Sequence, residues 1–299
     1  MGTCDERQCG GDETQYVPMK MRLHKRLSRQ LRQKLRNRVL SNFGRAILAN
    51  SWNGELLVEA GDFNVGRRLL MDGSYDRLEI EWLIRCLGRE SPAVIVAGAH
   101  VGAVLIPLAK AAGRIVGFEA DATNFGLLSR NLILNHIENA LVHNVAVSAA
   151  DGRAVFARNS INTGNSSIAT GASPAGVEVP MVRLDTALSA LDGDIDLLLM
   201  DIEGHEPQAL AGGSHTLART QRLYIEFAPE HLHQHGNDPA ALLFALAADF
   251  PLLYLLENGI VHEYPAIQGC KQLLAASTRR GFLRNLLFSR SPLPDDARA

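Results

Sequence analysis

The chain has 299 residues, of which 46% are hydrophobic and 21% charged, and its formal net charge is −2. This composition is ordinary for a globular protein, and the length suffices for one large α/β domain with appendages. The four cysteines have no C-x-x-C spacing and the first residues are polar, without the apolar segment of a secretory leader, so we expect free thiols and a cytoplasmic location.

The first 60 residues are predicted to be an appendage. Residues 1–18 are polar and Gly-rich, which is typical of a disordered tail. Nine Lys and Arg residues and no acid fall within residues 20–38, and leucine recurs every four residues there. This pattern predicts a basic amphipathic helix within an arm and linker over 19–60. We expect a solvated arm with at most peripheral membrane contact and no nucleic-acid partner, although contact with another polyanion stays open.

Strands and helices alternate from residue 92 onward, which is typical of a parallel sheet covered by helices on both faces. Before it, residues 63–87 predict an extended segment, a glycine turn and a helix. The predicted strands are 93–97, 115–119, 141–147, 196–200 and 222–227, and the predicted helices are 102–111, 122–136, 205–218 and 239–248.

Two segments depart from this alternation. Residues 152–182 are rich in Asn, Ser and Gly and end in alternating apolar residues, which predicts a β-hairpin excursion at the ligand edge of the sheet. Residues 252–256 and 260–264 predict an antiparallel hairpin that turns at Asn258-Gly259 and closes the sheet. We therefore expect a doubly wound α/β domain over 61–270 and a helix or tail over 271–299.

The glycine turn at the end of the first predicted sheet strand indicates a ligand site. Residues 94–102 read V-I-V-A-G-A-H-V-G, and the next strand ends in G-F-E at Glu119. In open α/β sheets, ligands lie outside the carboxyl ends of strands. Gly98 and Gly102 have no Cβ, so a ligand can approach their backbone closely. A carboxylate at Glu119 can accept hydrogen bonds from two vicinal ribose hydroxyls.

The spacing of the glycines argues against a dinucleotide. The dinucleotide fingerprint is G-x-G-x-x-G, whose glycines bring backbone amides against a pyrophosphate. Here Gly98 and Gly102 enclose Ala99-His100-Val101, so one of the three glycines is missing. S-adenosylmethionine has a ribose but no phosphate, so it needs no such cradle, and it is the cofactor that we expect.

A second cluster, D-I-E-G-H-E over residues 201–206, follows a buried strand. Methyl transfer requires alignment and removal of a proton from the acceptor, and Asp201, Glu203 and His205 are candidates for these roles. The alternative is that the acids merely favour the N-terminus of the next helix. Glu226, inside the apolar strand L-Y-I-E-F, is either a further site residue or a core carboxylate held by backbone amides.

Three alternating histidines follow this strand, at His231, His233 and His235. Such a pattern raises the question of a metal, but the histidines stand among Gln, Gly and Asn. We therefore expect a solvated loop and no metal site.

Several motifs in order resemble those of FkbM-type S-adenosylmethionine-dependent methyltransferases. The resemblance spans residues 63–264, about two thirds of the chain. It rests on V-A-G-A-H-V-G (96–102), F-E-A-D-A-T-N-F (118–125), N-V-A-V-S (144–148), L-D-x-x-L (184–188), M-D-I-E-G-H-E (200–206) and E-F-A-P-E (226–230).

The resemblance implies the class I methyltransferase fold, a Rossmann-like, mostly parallel seven-stranded sheet, and most often O-methylation of natural products or glycans. It implies that Gly98 and Gly102 flank the methionine end of S-adenosylmethionine, that Glu119 binds the ribose and that Asn144 and Val145 approach the adenine. It further implies that Asp201 and Glu203 face the acceptor. Ala99, His100 and Asn124 are further candidates for cofactor binding, and His205 and Glu226 for catalysis.

The motif departs from the family at Val96, where an acidic residue is usual, at His100, where Asn is usual, and at Leu199, where a lysine is often found. The leading hypothesis is an O-methyltransferase acting on a hydroxyl of a small molecule or glycan. The alternative, favoured by Val96, is a catalytically silent methyltransferase-fold protein that binds a partner through its basic arm. A dinucleotide oxidoreductase is disfavoured by the missing glycine.

Overall fold

The computed structural model describes residues 46–157, 167–168 and 176–298. The expected tail over residues 1–18 and the basic segment over residues 20–38 lie outside the described residues. The described elements in chain order are β1 (Ala46–Ser51), β2 (Gly54–Glu59), α1 (Val65–Met71), α2 (Arg77–Leu87), β3 (Ala93–Ala97), α3 (Leu105–Ala111), β4 (Arg114–Phe118), α4 (Ala122–Leu134), β5 (Ala140–His143), β6 (Ala146–Val147), β7 (Gly152–Ala157), β8 (Ser167–Ile168), β9 (Val177–Val182), α5 (Leu184–Ala187), β10 (Leu197–Met200), α6 (Glu206–Ala211), α7 (Ser214–Ala218), β11 (Arg222–Phe227), α8 (Pro229–Gln234), α9 (Pro239–Asp249), β12 (Leu252–Glu257), β13 (Ile260–Pro265), α10 (Ala266–Ala276), β14 (Arg284–Ser289) and α11 (Asp295–Arg298).

Eight strands form the main sheet, in the order β13-β12-β14-β11-β10-β3-β4-β5. β3, β4, β5, β10 and β11 run parallel to one another, which confirms the mostly parallel sheet predicted from the sequence. Every residue of β3 and β10 is buried, as expected for parallel strands covered on both faces. The strand order reverses between β3 and β10, and ligands of open α/β sheets bind at the carboxyl ends of the strands beside such a reversal.

Helices cover both faces of the main sheet. Along β3, Val94 and Val96 belong to one hydrophobic cluster, while Ile95 and Ala97 belong to the other. Because side chains alternate along a strand, the two sets fill the two layers between sheet and helices. Among the described residues, the helices lack the combination of length and apolar character that spanning a bilayer demands.

The edge of the sheet differs from the expectation in one strand. β12 and β13 form the expected hairpin, and Asn258 and Gly259 at its turn both have positive φ. β14, however, lies between β11 and β12 and pairs antiparallel with both. Among the described residues, the main sheet therefore has eight strands rather than the expected seven. The segment that we expected to be a helix or tail over 271–299 also contains the strand β14. The apolar run 286–288 of β14 is fully buried. Three apolar residues are too short a run to predict a strand from the sequence. The run forms a strand because it is buried between β11 and β12.

A second correction concerns Ala46–Glu59, which we expected within the linker and which forms the β1–β2 hairpin. The hairpin packs against α4 through the buried side chain of Asn131. The Leu57 N–H donates to Asn131 Oδ1 at 2.7 Å, and Asn131 Nδ2 donates to the carbonyl oxygens of Leu57 (3.0 Å) and Val101 (2.8 Å). The two-residue turn is Trp52-Asn53, and the sequence has an Asn-Gly pair at residues 53–54, a hairpin signal that the prediction of a linker did not take into account.

A smaller sheet with the order β6-β9-β7-β8 follows β5. β7 and β9 pair antiparallel, in agreement with the excursion predicted over 152–182, of which residues 158–166 and 169–175 lie outside the described part. The strand predicted over 141–147 is divided between the two sheets. The helix predicted over 205–218 is divided at Gly212, where a Cβ would lie 2.0 Å from the carbonyl oxygen of Ser148.

Candidate active site

A cavity of about 220 Å³ opens at the carboxyl ends of β3, β4, β10 and β11. Gly98 directly follows β3, Glu119 directly follows β4, and Asp201 directly follows β10; all three line the cavity. Glu226, near the end of β11, lines it as well. The fold therefore brings together the glycine turn and the acidic residues that the sequence pattern singled out.

The glycine turn after β3 is packed against the loop after β10. Gly98 has φ +89°, and a Cβ on it would lie 2.0 Å from the carbonyl oxygen of Asp201. The N–H groups of Gly98 and Ala99 both donate to the carbonyl oxygen of Phe118, at 3.0 and 2.9 Å. The absent Cβ of Gly98 thus lets two strand ends approach each other, in addition to opening the wall of the cavity.

Gly102 and Val96, two notable positions of the glycine motif, do not line the cavity. Gly102 faces α3 and α4 instead, and a Cβ there would lie 2.9 Å from Leu128 Cδ1. Val96 is buried in the hydrophobic cluster beneath the cavity, paired in register with Gly117 on one side and Leu199 on the other. The departure from the family at Val96 therefore changes the core rather than the surface that faces a ligand.

Glu119 is buried and held by the backbone on both sides. Its Oε2 accepts the N–H of His100 at 2.7 Å, and its Oε1 accepts the N–H of Asp121 at 2.8 Å. Burial nevertheless raises the pKa of Glu119 to about 7, because desolvation disfavours the charged form more than these hydrogen bonds favour it. The side-chain N–H of Asn124 also favours the charged form, and the carboxylate keeps lone-pair capacity that can accept a hydrogen bond from a ligand hydroxyl.

The two asparagines named by the motifs play different parts. Asn124 is 1% exposed, lines the cavity, and its Oδ1 accepts no hydrogen bond from any described residue. Asn144 does not line the cavity; its Nδ2 donates to the carbonyl oxygens of Glu119 (2.8 Å) and Ala120 (3.2 Å) and so supports the loop after β4. Val145, the next residue, does line the cavity. Asn124 is thus placed to meet a ligand, and Asn144 positions Glu119.

Asp201 lies among other carboxylates at the opposite end of the cavity. Asp201 is exposed at the cavity wall, although the protein atoms around its carboxylate partly desolvate it. This desolvation, followed by the negative charges of Glu226 and Glu203, raises the pKa of Asp201 well above its ordinary value. A carboxylate in such a setting is a stronger base than an exposed one.

Glu206 shapes the loop that carries these acids. Its Oε1 accepts the N–H groups of Ile202 at 3.0 Å and Gly204 at 3.3 Å, and the residue is 1% exposed. Burial raises the pKa of Glu206 to about 7. Within this loop Glu203 has a left-handed backbone with φ 58°. The loop after β10 is thereby held in a conformation that directs neighbouring acids to the cavity.

His231 is the site residue that sequence reasoning misplaced. The expected solvated loop is instead helix α8, which has a proline in its first turn, a position that proline favours. His231 lines the cavity, with its Nδ1 2.9 Å from Glu203 Oε2 and 3.7 Å from Glu226 Oε2. These two carboxylates raise the pKa of His231 to about 10. His233, two residues on, is exposed.

His205 lines the cavity but is not suited to proton transfer at neutral pH. It is 8% exposed, and its Nε2 lies 3.0 Å from the Ser148 hydroxyl oxygen. Burial, followed by the charge of His235, lowers the pKa of His205 to about 4, so the ring is neutral at pH 7. The contact ties Ser148, the residue after β6, to the loop after β10, and the expected role of His205 in catalysis stays a prediction.

Part of the cavity wall comes from segments for which the sequence offered no local signal. Asn64, Val65 and Tyr75 precede the main sheet in the chain, Phe156 belongs to the smaller sheet, and Leu283 precedes β14. None of these residues stands in a recognisable motif. Only the packing of distant segments brings them to the same cavity.

Comparisons with known proteins agree with this geometry. The family model described as the methyltransferase FkbM domain matches residues 97–252, slightly more than half of the chain. A 2-O-methyltransferase of Sinorhizobium fredii (strain NBRC 101917 / NGR234), NoeI, is 33% identical over 66 residues. That match covers 22% of this chain and 27% of NoeI, so it spans only about a quarter of the relative's length.

Solved structures with a similar fold include several methyltransferases of low sequence identity. An rRNA methylase from Streptococcus thermophilus is 14% identical, with 72% of this chain and 95% of that chain covered and a TM-score of 0.40. The T. thermophilus 16S rRNA N2 G1207 methyltransferase is 17% identical, with 83% and 50% covered and a TM-score of 0.44. The magnesium protoporphyrin IX methyltransferase of Synechocystis PCC 6803 is 18% identical, with 76% and 89% covered and a TM-score of 0.40.

The strand order, the carboxylate after β4 and the family match over residues 97–252 lead to the same assignment. The chain belongs to the FkbM family of S-adenosylmethionine-dependent methyltransferases.

Proposed function

We propose that this protein transfers a methyl group from S-adenosylmethionine to a hydroxyl oxygen of a small-molecule or glycan acceptor. The observation that carries the proposal is one cavity with a ribose-type carboxylate, Glu119, at one end and a group of acids around Asp201 at the other. The 2-O-methyltransferase activity in the name of NoeI supports a hydroxyl acceptor.

The residues after β4 fit an adenosyl ligand. Glu119 is buried with both oxygens oriented by backbone N–H groups, and the buried Oδ1 of Asn124 accepts no hydrogen bond from the described residues. A buried acceptor of this kind is costly unless a ligand donor meets it. We therefore propose that Glu119 holds the two ribose hydroxyls and that Asn124 accepts a hydrogen bond from the nucleoside.

The acids after β10 and β11 suit the acceptor. S-adenosylmethionine supplies an electrophilic methyl group when it is bound, so the remaining requirements are alignment of the acceptor oxygen and removal of its proton. We propose that Asp201, whose pKa is raised by desolvation and by neighbouring charges, accepts this proton. Glu203 and Glu226, joined through His231, would orient the acceptor by hydrogen bonds to its other hydroxyls.

The hypothesis of a catalytically silent protein depended on Val96. Because Val96 is packed in the core beneath the cavity, its lack of charge leaves the cavity wall unchanged. No observation in the described part of the chain favours that alternative.

Calorimetry with S-adenosylmethionine, combined with a transfer assay on a panel of hydroxylated glycans and small molecules, tests the proposal. Glu119→Ala should weaken cofactor binding by about 10–100-fold, because a charge-assisted hydrogen bond contributes about 1.5–3 kcal/mol. Asp201→Asn should keep cofactor binding and lose about 10²–10⁴-fold in turnover. Asp194→Asn is the matched control, since Asp194 is exposed and lies at the other end of β10. Full turnover in Asp201→Asn would refute its assignment as the base.

A further inference from the structure

The cavity carries an excess of negative charge. Within the described residues it is lined by the carboxylates of Glu119, Asp201, Glu203 and Glu226, whereas no Lys or Arg lines it. Glu119 accepts hydrogen bonds from two backbone N–H groups. Glu203 and Glu226, by contrast, share the single imidazole of His231 as their positively charged neighbour. One imidazolium faces two carboxylates here, and the carboxylate of Asp201 lines the same cavity, so the negative charge exceeds the counter-charge and this end of the cavity favours a cationic ligand.

The geometry around His231 narrows the kind of cation. One ligand-type atom each of Glu203, Glu226 and His231 lies within 4.8 Å of the other two. The three residues come from three different elements: the loop after β10, the end of β11, and α8. Glu226 Oε2 is inaccessible to solvent and accepts no hydrogen bond from any described residue. The cluster therefore contains an oxygen with unused capacity to coordinate.

The two distances from His231 Nδ1 match neighbouring ligands of a single metal ion. With bonds of about 2.1 Å, ligand atoms 2.9 Å apart subtend about 90° at the ion, and atoms 3.7 Å apart subtend about 120°. We propose that His231 Nδ1 and one oxygen each of Glu203 and Glu226 bind a divalent cation, which displaces the Nδ1 proton of His231 into the solvent. One imidazole and two carboxylates suit Mn²⁺ or Zn²⁺ better than Mg²⁺, which prefers oxygen ligands alone.

The role of this cation rests on the proposed function, whereas its binding does not. Three protein ligands leave coordination positions open toward the cavity that the same residues line. A hydroxyl oxygen of the acceptor bound there is polarised and loses its proton more easily. Asp201, which also lines the cavity, is placed to take that proton. The cation thereby selects acceptors whose oxygens can coordinate it, such as vicinal diols of a sugar.

The test uses the full chain after treatment with a chelator. Mn²⁺ is titrated and its free concentration is followed by electron paramagnetic resonance, in parallel with calorimetry. We expect one Mn²⁺ per chain, displaced by Zn²⁺, and at least tenfold weaker binding in His231→Gln and in Glu226→Gln. His233→Gln is the matched control, because His233 lies exposed on the same helix; it should bind Mn²⁺ as the wild type does. Circular dichroism checks that each variant folds, and Glu203→Gln replaces any that does not.

Two results would overturn the metal site. Absence of Mn²⁺ and Zn²⁺ binding at millimolar concentration would leave the cluster as an ion pair that only stiffens the cavity. Binding that is equal in the wild type and the variants would place the ion elsewhere. Calorimetry with S-adenosylmethionine in the absence of metal keeps the two proposals separate, since loss of cofactor binding refutes the proposed function and leaves the metal measurement intact.

Discussion

Glu119 should make the protein less stable as the pH rises. Its pKa increases from the ordinary 4.5 to about 7 in the folded protein, mainly because burial desolvates it. The folded state therefore binds this proton more tightly than the unfolded chain does. Below pH 4.5 Glu119 is protonated in both the folded and the unfolded state, so it does not change the free energy of unfolding. Between pH 4.5 and 7 the free energy of unfolding falls as the pH rises. Above pH 7 the destabilisation caused by Glu119 stays constant at about 3 kcal/mol.

Glu119→Gln removes this pH-dependent cost while keeping the volume of the side chain. The amide oxygen can accept only one of the two N–H groups that Glu119 now accepts, from His100 and Asp121. Loss of the other hydrogen bond costs about 1–3 kcal/mol at every pH. We therefore expect the variant to be less stable than the wild type at pH 5. Between pH 5 and pH 8 the free energy of unfolding of the variant, relative to that of the wild type, should rise by about 2–3 kcal/mol.

Urea denaturation without added cofactor, followed by fluorescence at half-unit steps between pH 5 and 8, measures this shift. Glu206 has a similarly raised pKa, so the informative quantity is the difference between wild type and variant at each pH. Glu138→Gln serves as the control, because Glu138 is exposed. Stability curves of wild type and Glu119→Gln that run parallel over this range would refute the argument that Glu119 is desolvated.

Three further outcomes are expected. If an ionised Glu119 holds the ribose, the dissociation constant for S-adenosylmethionine should rise roughly tenfold per pH unit below 7, and a flat calorimetric profile would contradict this. Asn131→Ala should lower the free energy of unfolding by about 2–4 kcal/mol in urea, since it removes the three hydrogen bonds of the Asn131 side chain to Leu57 and Val101. Gly98→Ala places a Cβ 2.0 Å from the carbonyl oxygen of Asp201. It should cost more than about 1 kcal/mol of stability and also weaken cofactor binding; wild-type values in both assays would show that the two strand ends separate freely.

The succession of apolar strands determined much of the sheet and of the cofactor end of the cavity. β3 and β10 are continuous apolar runs, and such runs are stable only when buried on both faces. The acidic residues that directly follow β4 and β10, Glu119 and Asp201, must then lie at the rim of the sheet. Local order along the chain is sufficient for that inference, so the site carboxylates could be predicted without knowledge of the tertiary structure.

Residues that depend on long-range packing could not be found in this way. β14 is a strand because the run 286–288 is buried between β11 and β12, although its immediate sequence resembles a tail. His231 and Tyr75 reach the cavity from segments more than 150 residues apart, and neither stands in a motif. The pKa of Asp201 likewise depends on Glu226, which lies on a different strand. Periodicity along the chain reports which side chains share a face of one element, whereas contacts between elements are decided by how those faces pack together.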